Sequence, residues 1–309
     1  RHAVSLGSRM IGVFDSGVGG LSVLREIRLL LPAADLVYLA DQAHAPYGER
    51  SLQEVRDFVE AVAGHLISRG AAPVVLACNT ASAAAIRPLR ERWPDVPFVG
   101  TEPAVKPAAS ITGTGKVGVL ATQATFQGEL FADLVARYGN GVEVLTQACP
   151  GLAALIEEVP PNDPGAADRL AAFAHPLVAA GADVLVLGCT HYSFLQEALA
   201  ERIGPEVAIV NPAGAVARRV AAVAAEAGTT AGAGTTTYLT TGDPAPQAEF
   251  RAGGSATVRG FDYGLQRGQS MWSLQTDWSP GRGGIRPVFF GDVGQAGKPG
   301  ELSQQRLLV

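Results

Sequence analysis

The sequence predicts an α/β fold of two similar lobes. Each is a mainly parallel sheet flanked by helices, the two are related by a pseudo-twofold, and the functional cleft lies between them. Three observations carry that expectation. From Met10 to about Ala225, short apolar runs alternate with amphipathic helical stretches. The run Met10-Ile11-Gly12-Val13-Phe14-Asp15-Ser16 returns 106 residues later as Lys116-Val117-Gly118-Val119-Leu120-Ala121-Thr122. Cys78 and Cys189 stand in look-alike contexts, each where a Val- and Leu-rich run gives out into a polar turn.

Taken in order, Ile11 to Phe14 reads as a strand, Leu21 to Leu31 as a helix and Leu36 to Leu39 as a strand. Ser51 to Arg69 has the length and period of a longer helix, followed by a strand over Val74 to Ala77 and a helix over Ala81 to Arg92 that Pro94 and Pro97 close. The same order then recurs through the second cysteine strand. The Ala-rich helix from Val216 to Ala227 is expected to return to the first lobe, which gives one lobe of residues 10–99 plus 211–250 and another of 100–210. Residues 1–9 and 251–309 stand apart as atypical extensions. The latter stretch shows neither helical nor strand period and is expected to be poorly ordered or loosely docked.

With 309 residues, 47% hydrophobic content and a net charge of -5, the chain has ample core for two ordinary domains. Lys and Arg are not clustered, which argues against nucleic acid as a partner. No apolar stretch approaches a membrane span, and Arg1 to Arg9 lacks the apolar middle of a signal peptide. A cytoplasmic protein with no membrane association is the expectation. The cysteines Cys78, Cys149 and Cys189 make an odd count without disulfide spacing, as in a reducing compartment where thiols stay free.

Asp15-Ser16-Gly17-Val18-Gly19-Gly20 lies between a strand and a helix, where glycines let backbone amides approach a ligand and the helix start favours an anion. Three readings stay open for it: a dinucleotide loop with Asp41 as the ribose-binding acid, a tight structural turn, and a polar small-ligand loop. Its order is Gly-x-Gly-Gly rather than the dinucleotide fingerprint, and Asp15 would repel a pyrophosphate while suiting an ammonium or a protonated thiol. Asp41 to Gly48 follows the second strand and carries turn chemistry in Pro46-Tyr47-Gly48. It is either a turn alone or one whose Tyr47 side chain and Gly48 amide donate to a carboxylate.

Cys78-Asn79-Thr80 and Cys189-Thr190-His191 are the strongest signal. A single such cysteine is ordinarily a small core residue. Two in matched positions, each followed by hydrogen-bonding side chains at a helix start, point instead to thiol chemistry on opposite faces of one carbon. Helix starts and nearby cations lower a thiol pKa from about 8.5, and His191 would supply the cation or a proton relay. A zinc site would need further ligands at familiar spacing, and no Cys-x-x-Cys or His-x-x-x-His element accompanies these residues, so no metal is expected. Cys149 has no counterpart in the first half and reads as structural.

The chain resembles the glutamate racemases of the aspartate/glutamate racemase family. The resemblance runs from about Met10 to Phe250 and rests on Asp15-Ser16-Gly17-x-Gly19-Gly20, Pro46-Tyr47-Gly48, Ala77-Cys78-Asn79-Thr80-Ala81-Ser82, Glu102-Pro103-Ala104-x-Lys106-Pro107-Ala108, Gly188-Cys189-Thr190-His191-Tyr192 and Thr240-Thr241-Gly242-Asp243-Pro244. Ser193 departs from the proline many members carry, and residues 251–309 do not match the family's ending. The resemblance implies an isomerase that needs no cofactor, acts on glutamate, works as a homodimer and supplies D-glutamate for peptidoglycan synthesis. It also makes Cys78 and Cys189 the two acid/base residues, with Asp15, Ser16, Tyr47, Gly48, Asn79, Thr80, Thr122, Thr190 and His191 lining the substrate site. Asp15 and His191 would tune the neighbouring thiols. The alternatives are a racemase of aspartate or a related amino acid, a cysteine hydrolase using one thiol, and a non-catalytic amino-acid binder.

Overall fold

The computed structural model describes residues 10–139, 141–160, 163–242, 250–251, 257–258 and 272–277. In chain order it begins with β1 (Met10–Asp15), α1 (Leu21–Leu30), β2 (Leu36–Ala40), α2 (Leu52–Ser68), β3 (Ala71–Leu76), α3 (Asn79–Arg92) and β4 (Phe98–Gly100). There follow α4 (Val105–Ile111), β5 (Lys116–Ala121), α5 (Gln123–Gln127), α6 (Glu129–Tyr138), β6 (Glu143–Ala148), α7 (Leu152–Glu158) and α8 (Pro164–Ala179). Next come β7 (Val184–Gly188), α9 (Gln196–Ile203), β8 (Ala208–Val210), α10 (Ala213–Ala227) and β9 (Thr235–Thr240). The short strands β10 (Phe250–Arg251), β11 (Thr257–Val258) and β12 (Trp272–Asp277) are the last described elements.

These strands form two main sheets, in the orders β12-β9-β2-β1-β3-β4 and β6-β5-β7-β8. Within these two sheets all pairings are parallel except that of β12 with β9, and β10 pairs antiparallel with β11 in a separate two-stranded sheet. The order β2-β1-β3-β4 maps onto β6-β5-β7-β8, so each cysteine-bearing strand lies beside the central strand of its sheet. Parallel strands covered by helices on both faces must be apolar on both faces, which is why β2 and β7 read as unbroken apolar runs. The duplicated glycines serve one purpose. A Cβ at Gly12 would meet the Ala71 Cβ at 2.9 Å and lie 3.5 Å from Leu66, and one at Gly118 would meet Leu185 at 2.7 Å and Leu177 at 2.9 Å. In the first half the missing side chain therefore makes room for Ala71 on the neighbouring strand, and in the second for Leu185 on β7 and Leu177 of α8.

Helix α2 opens with a capping box in which Ser51 and Glu54 satisfy each other's backbone amides. It covers one face of the first sheet, while α1 and α10 cover the other through Val23, Ile27, Val216, Val220 and Val223 against Ile11, Val13 and Val75. The second sheet is likewise covered on one face by α7 and α8 and on the other by α4 and α6. Strand β3 starts earlier than its apolar run, at Ala71, because the chain tolerates Pro73 beside a register irregularity between Met10 and Gly12. Helix α3 also starts earlier, at Asn79, because Cys78 itself provides the cap.

Residues 1–9 and most of 251–309, expected to be poorly ordered, lie outside the described residues. Within the latter stretch Trp272–Asp277 is nevertheless a strand paired antiparallel with β9 from Trp272 opposite Thr240 to Asp277 opposite Thr235. It supplies partners to backbone groups that an uncovered edge strand would leave open. Among the described residues, no helix is long and apolar enough to cross a membrane.

Leu120 is fully buried in the second sheet's core, so Leu120→Ala is expected to lower unfolding free energy by about 2–5 kcal/mol, read from the urea midpoint. An unchanged midpoint would show that this strand is not packed as described.

Candidate active site

The carboxyl ends of the two central strands and of the two cysteine strands meet across one polar interface. From the first sheet come Asp15 at the end of β1, Ser16 after it and Cys78 after β3; from the second come Thr122 after β5 and Cys189 after β7. Strand ends in parallel sheets leave backbone groups and helix starts pointing at the same space, which suits them to polar ligands. Here they also bind each other. Thr190 Oγ1 donates to Asp15 Oδ2 at 3.0 Å, Ser22 Oγ approaches the Thr190 carbonyl at 3.5 Å, and the Thr80 and Thr122 hydroxyls lie 2.9 Å apart.

The glycine loop owes its composition to this interface. A Cβ at Gly17 would run into the Glu157 carboxylate, and one at Gly19 would lie 2.6 Å from His191 Nδ1. The Val18 amide donates to Glu157 Oε1 at 2.8 Å. A loop-to-helix anion position thus exists, and it is filled by a side chain from the opposite half of the molecule rather than held open for a pyrophosphate. Asp41 is equally committed. Buried, it accepts from the Tyr47 hydroxyl, pairs with His44 Nδ1 at 2.9 Å and accepts from Thr241 Oγ1 at 2.5 Å. These contacts remove the dinucleotide reading of the loop.

The two thiols occupy equivalent fold positions in unlike surroundings. Cys78 caps α3, its Sγ accepting from the Ala81 amide at 3.4 Å, and lies 3.9 Å from Ser16 Oγ, which is itself 3.4 Å from Asp15 Oδ1. Burial, reinforced by the Asp15 carboxylate, pushes the Cys78 thiol up to about 12. That is opposite to the lowering expected from a helix start alone. Burial also raises Asp15, partly offset by His191. Cys189 Sγ lies 3.7 Å from His191 Nδ1, and His191 Nε2 is 2.5 Å from Glu157 Oε1. Burial opposes a charge on His191, but Cys189 and Glu157 outweigh it and hold its pKa well above the ordinary histidine value. Glu157, although desolvated, is held below the usual carboxylate range, chiefly by His191. Cys189 is close enough to Cys78 to act on it electrostatically.

The remaining sequence-selected residues surround these thiols. The Asn79 side chain is buried, and among the described residues neither its oxygen nor its nitrogen has a hydrogen-bond partner, a costly state that a polar ligand would relieve. Thr80, Thr122 and Thr125 form a cluster of hydroxyls 2.9–3.3 Å apart. Gly48 packs on Thr122, where a Cβ would come within 2.7 Å, while the Tyr47 hydroxyl is turned away to Asp41. A cavity of about 160 Å³ opens at this boundary, lined among others by Gly48, Arg50, Thr122, Cys149 and Gly151. Cys78 and Cys189 are not part of its lining and are only 6% and 7% exposed.

Glu157 and Thr125 were not selected from the sequence. Thr125 had a faint signal as the hydroxyl three residues after Thr122 at a helix start. Glu157 had none, since it sits near the end of an ordinary amphipathic helix and gains meaning only from the glycine loop opposite.

Residues 11–220 match the family model described as Asp/Glu/Hydantoin racemase. The chain is 52% identical over 241 residues to a glutamate racemase of Roseiflexus sp. (strain RS-1), covering 77% of this chain and 89% of that one. Among solved structures it is similar to a glutamate racemase isoform of Bacillus anthracis, with a TM-score of 0.69 at 32% identity over 76% of this chain and 90% of that one. It is also similar to Escherichia coli glutamate racemase in complex with L-glutamate and the activator UDP-MurNAc-Ala, with a TM-score of 0.64 at 37% identity over 70% and 82%.

Iodoacetamide labelling of Cys78, followed by peptide mass spectrometry, is expected to keep accelerating with pH beyond 9 and towards about 12. A plateau below 9 would show that the buried thiol is not raised.

Proposed function

The chain belongs to the Asp/Glu/Hydantoin racemase family and is an isomerase, and from that premise we propose that it interconverts L-glutamate and D-glutamate with Cys78 and Cys189 as the two acid/base residues. The observation that carries this reading is that each thiol, one from each sheet, starts a buried polar arm, and that the two arms meet at the consecutive residues Cys189, Thr190 and His191. One arm runs through Ser16 and Asp15 to Thr190, the other through His191 to Glu157. In this reading the reaction needs no cofactor. The product D-glutamate supplies peptidoglycan synthesis, and the enzyme is cytoplasmic and a homodimer.

The chemical difficulty is removal of a weakly acidic α-proton with nothing to delocalise the electron pair left on carbon. A thiolate on one face takes the proton while a thiol on the other face delivers one, and the centre is inverted. Cys78, held protonated by burial and Asp15, is the donor in one direction. In the other direction it must act as base, and the Ala81 amide and Ser16 hydroxyl then favour its thiolate. At Cys189 the imidazole of His191, 3.7 Å away, takes up or returns the proton, and Glu157 steadies the charged ring. The unpartnered Asn79 carboxamide, the hydroxyls of Thr80 and Thr122, Ser16 and the Gly48 amide would bind the two carboxylates and the charge that develops in the transition state. With both sulfurs almost fully covered, substrate enters when residues 10–99 plus 211–250 part from 100–210. Reclosure then excludes water.

Incubation of either glutamate enantiomer in heavy water is expected to place solvent deuterium at the α-carbon of the product, read by mass spectrometry. Inversion without exchange would exclude the two-thiol route. Cys78→Ala and Cys189→Ala are each expected to reduce racemisation by roughly 10²–10⁴-fold while leaving circular dichroism and the urea midpoint near the parent values. Near-full activity in either variant would refute that cysteine's role. Chiral chromatography with glutamate and aspartate side by side is expected to show turnover of glutamate, and preferential turnover of aspartate would reassign the substrate. Light scattering of the active protein is expected to give twice the chain mass.

A further inference from the structure

The Gly48 amide used in the proposed reaction is carried on a single helical turn, Tyr47–Glu49, too short to be held in place by its own hydrogen bonds. Its anchor is the Tyr47 side chain. That residue is 1% exposed, its ring packs against Phe58 with centroids 6.1 Å apart, and its hydroxyl donates to Asp41 Oδ2. On the other side Gly48 lies against Thr122 of the opposite half, so a drift of the turn disturbs the contact between the halves.

Asp41 is the hub of this anchor, and three chain segments converge on it. Its amide donates to the Asp15 carbonyl at 2.9 Å, which ties it to the end of β1. Its Oδ1 accepts from Thr241 Oγ1 at 2.5 Å, and His44 Nδ1 lies 2.9 Å from Oδ1 and 3.1 Å from Oδ2. Thr241, the residue after β9, is itself fixed on this loop: its amide donates to the Ala40 carbonyl at 3.1 Å and its Oγ1 accepts from the Ala43 amide at 3.2 Å. A Cβ at Gly242 would lie 3.0 Å from the Gln42 Cβ and 3.1 Å from the Ala43 nitrogen, so the glycine lets the strand end pass this close.

We propose that Thr241 is a positioning residue for the substrate: by donating to Oδ1 it fixes the rotation of the Asp41 carboxylate, leaves Oδ2 to the Tyr47 hydroxyl, and through Tyr47 holds the Gly48 amide where it meets a substrate carboxylate. The proposal deepens the racemase reading and rests on it. A buried carboxylate needs donors on both oxygens, and the single Nδ1 proton of His44, placed between the two, cannot satisfy both. Without the Thr241 hydroxyl the carboxylate turns to serve Oδ1, and Tyr47 loses its acceptor. The hydroxyl is not what holds β9 in the sheet. The parallel ladder with β2 runs from Leu36 opposite Thr236 to Ala40 opposite Thr240 and ends one residue before it.

The test uses NMR of full-length protein carrying ring-labelled tyrosine, with the Tyr47 signal identified by its loss in Tyr47→Phe. Thr241→Val keeps the shape of the side chain without the hydroxyl and is expected to move the Tyr47 signal, whereas Thr241→Ser should leave it near the parent position. With glutamate, Thr241→Val should raise KM roughly tenfold with kcat within about twofold of the parent, because a carboxylate contact made equally in the ground and transition states is weakened. Thr241→Ser should restore KM. Combining Thr241→Val with Tyr47→Phe should be no worse than Tyr47→Phe alone, since both break one chain of contacts. An unmoved Tyr47 signal in Thr241→Val would overturn the proposal, as would an unchanged KM or fully additive effects in the double variant. So would a loss of activity that follows thermal stability alone. The signal is read without turnover, so a parent protein that fails to racemise glutamate refutes the activity and leaves this measurement to decide whether Thr241 holds the turn.

Discussion

The pairing of Glu157 with His191 is the interaction around which this molecule is arranged. A charged imidazole that is almost fully buried is stable only when a carboxylate meets it directly and the carboxylate's other lone pairs are also occupied. Glu157 meets the first of those terms through Oε1, which lies 2.5 Å from the histidine and also accepts from the Val18 amide at 2.8 Å. Because the histidine and the glutamate belong to the second sheet's half and the amide to the first, one carboxylate ties the halves together at the point where their strand ends converge. The glycine loop follows from this, since a side chain at Gly17 or Gly19 would displace the very groups the loop receives.

The matching strand orders of the two sheets explain the symmetry of the site but not its electrostatics. Equivalent strands deliver Cys78 and Cys189 to equivalent places, yet one thiol faces Asp15 through Ser16 and the other faces His191. The two-thiol reaction proposed above needs two groups that are alike in reach and opposite in protonation at any instant. A strictly symmetric pair would share one protonation tendency. A buried carboxyl beside one sulfur and an imidazole beside the other break that tie, and Thr190 links the two environments by donating to Asp15 from the residue next to Cys189. In a desolvated interface these contacts act with little screening.

Much of this was legible in one dimension. The recurrence of Met10–Ser16 at Lys116–Thr122 announced two related sheets because a central parallel strand must be apolar on both faces and end in a polar turn. The matched cysteines were legible for the same reason, each standing one or two residues past a buried strand. The direction of the Cys78 shift was not, because a local helix start favours a thiolate while burial beside Asp15 disfavours it, and burial is a property of the assembled interface. The commitment of the Tyr47 hydroxyl to Asp41, rather than to the site, was hidden for a related reason: the turn can be recognised from Pro46-Tyr47-Gly48, but not the direction its ring takes.

The sequence by itself determined the α/β architecture, the repeated strand order and the pair of thiols at strand ends, because hydrophobic period and turn chemistry are local and act within a few residues. Only the tertiary structure decided why the loop has glycine at positions 17 and 19, which acid pairs with His191 and what surrounds each sulfur. Glu157 lies 34 residues from His191 and 139 from Val18 along the chain. Contacts of that separation leave no periodic trace in a sequence, and their strength comes from the exclusion of water that folding alone provides.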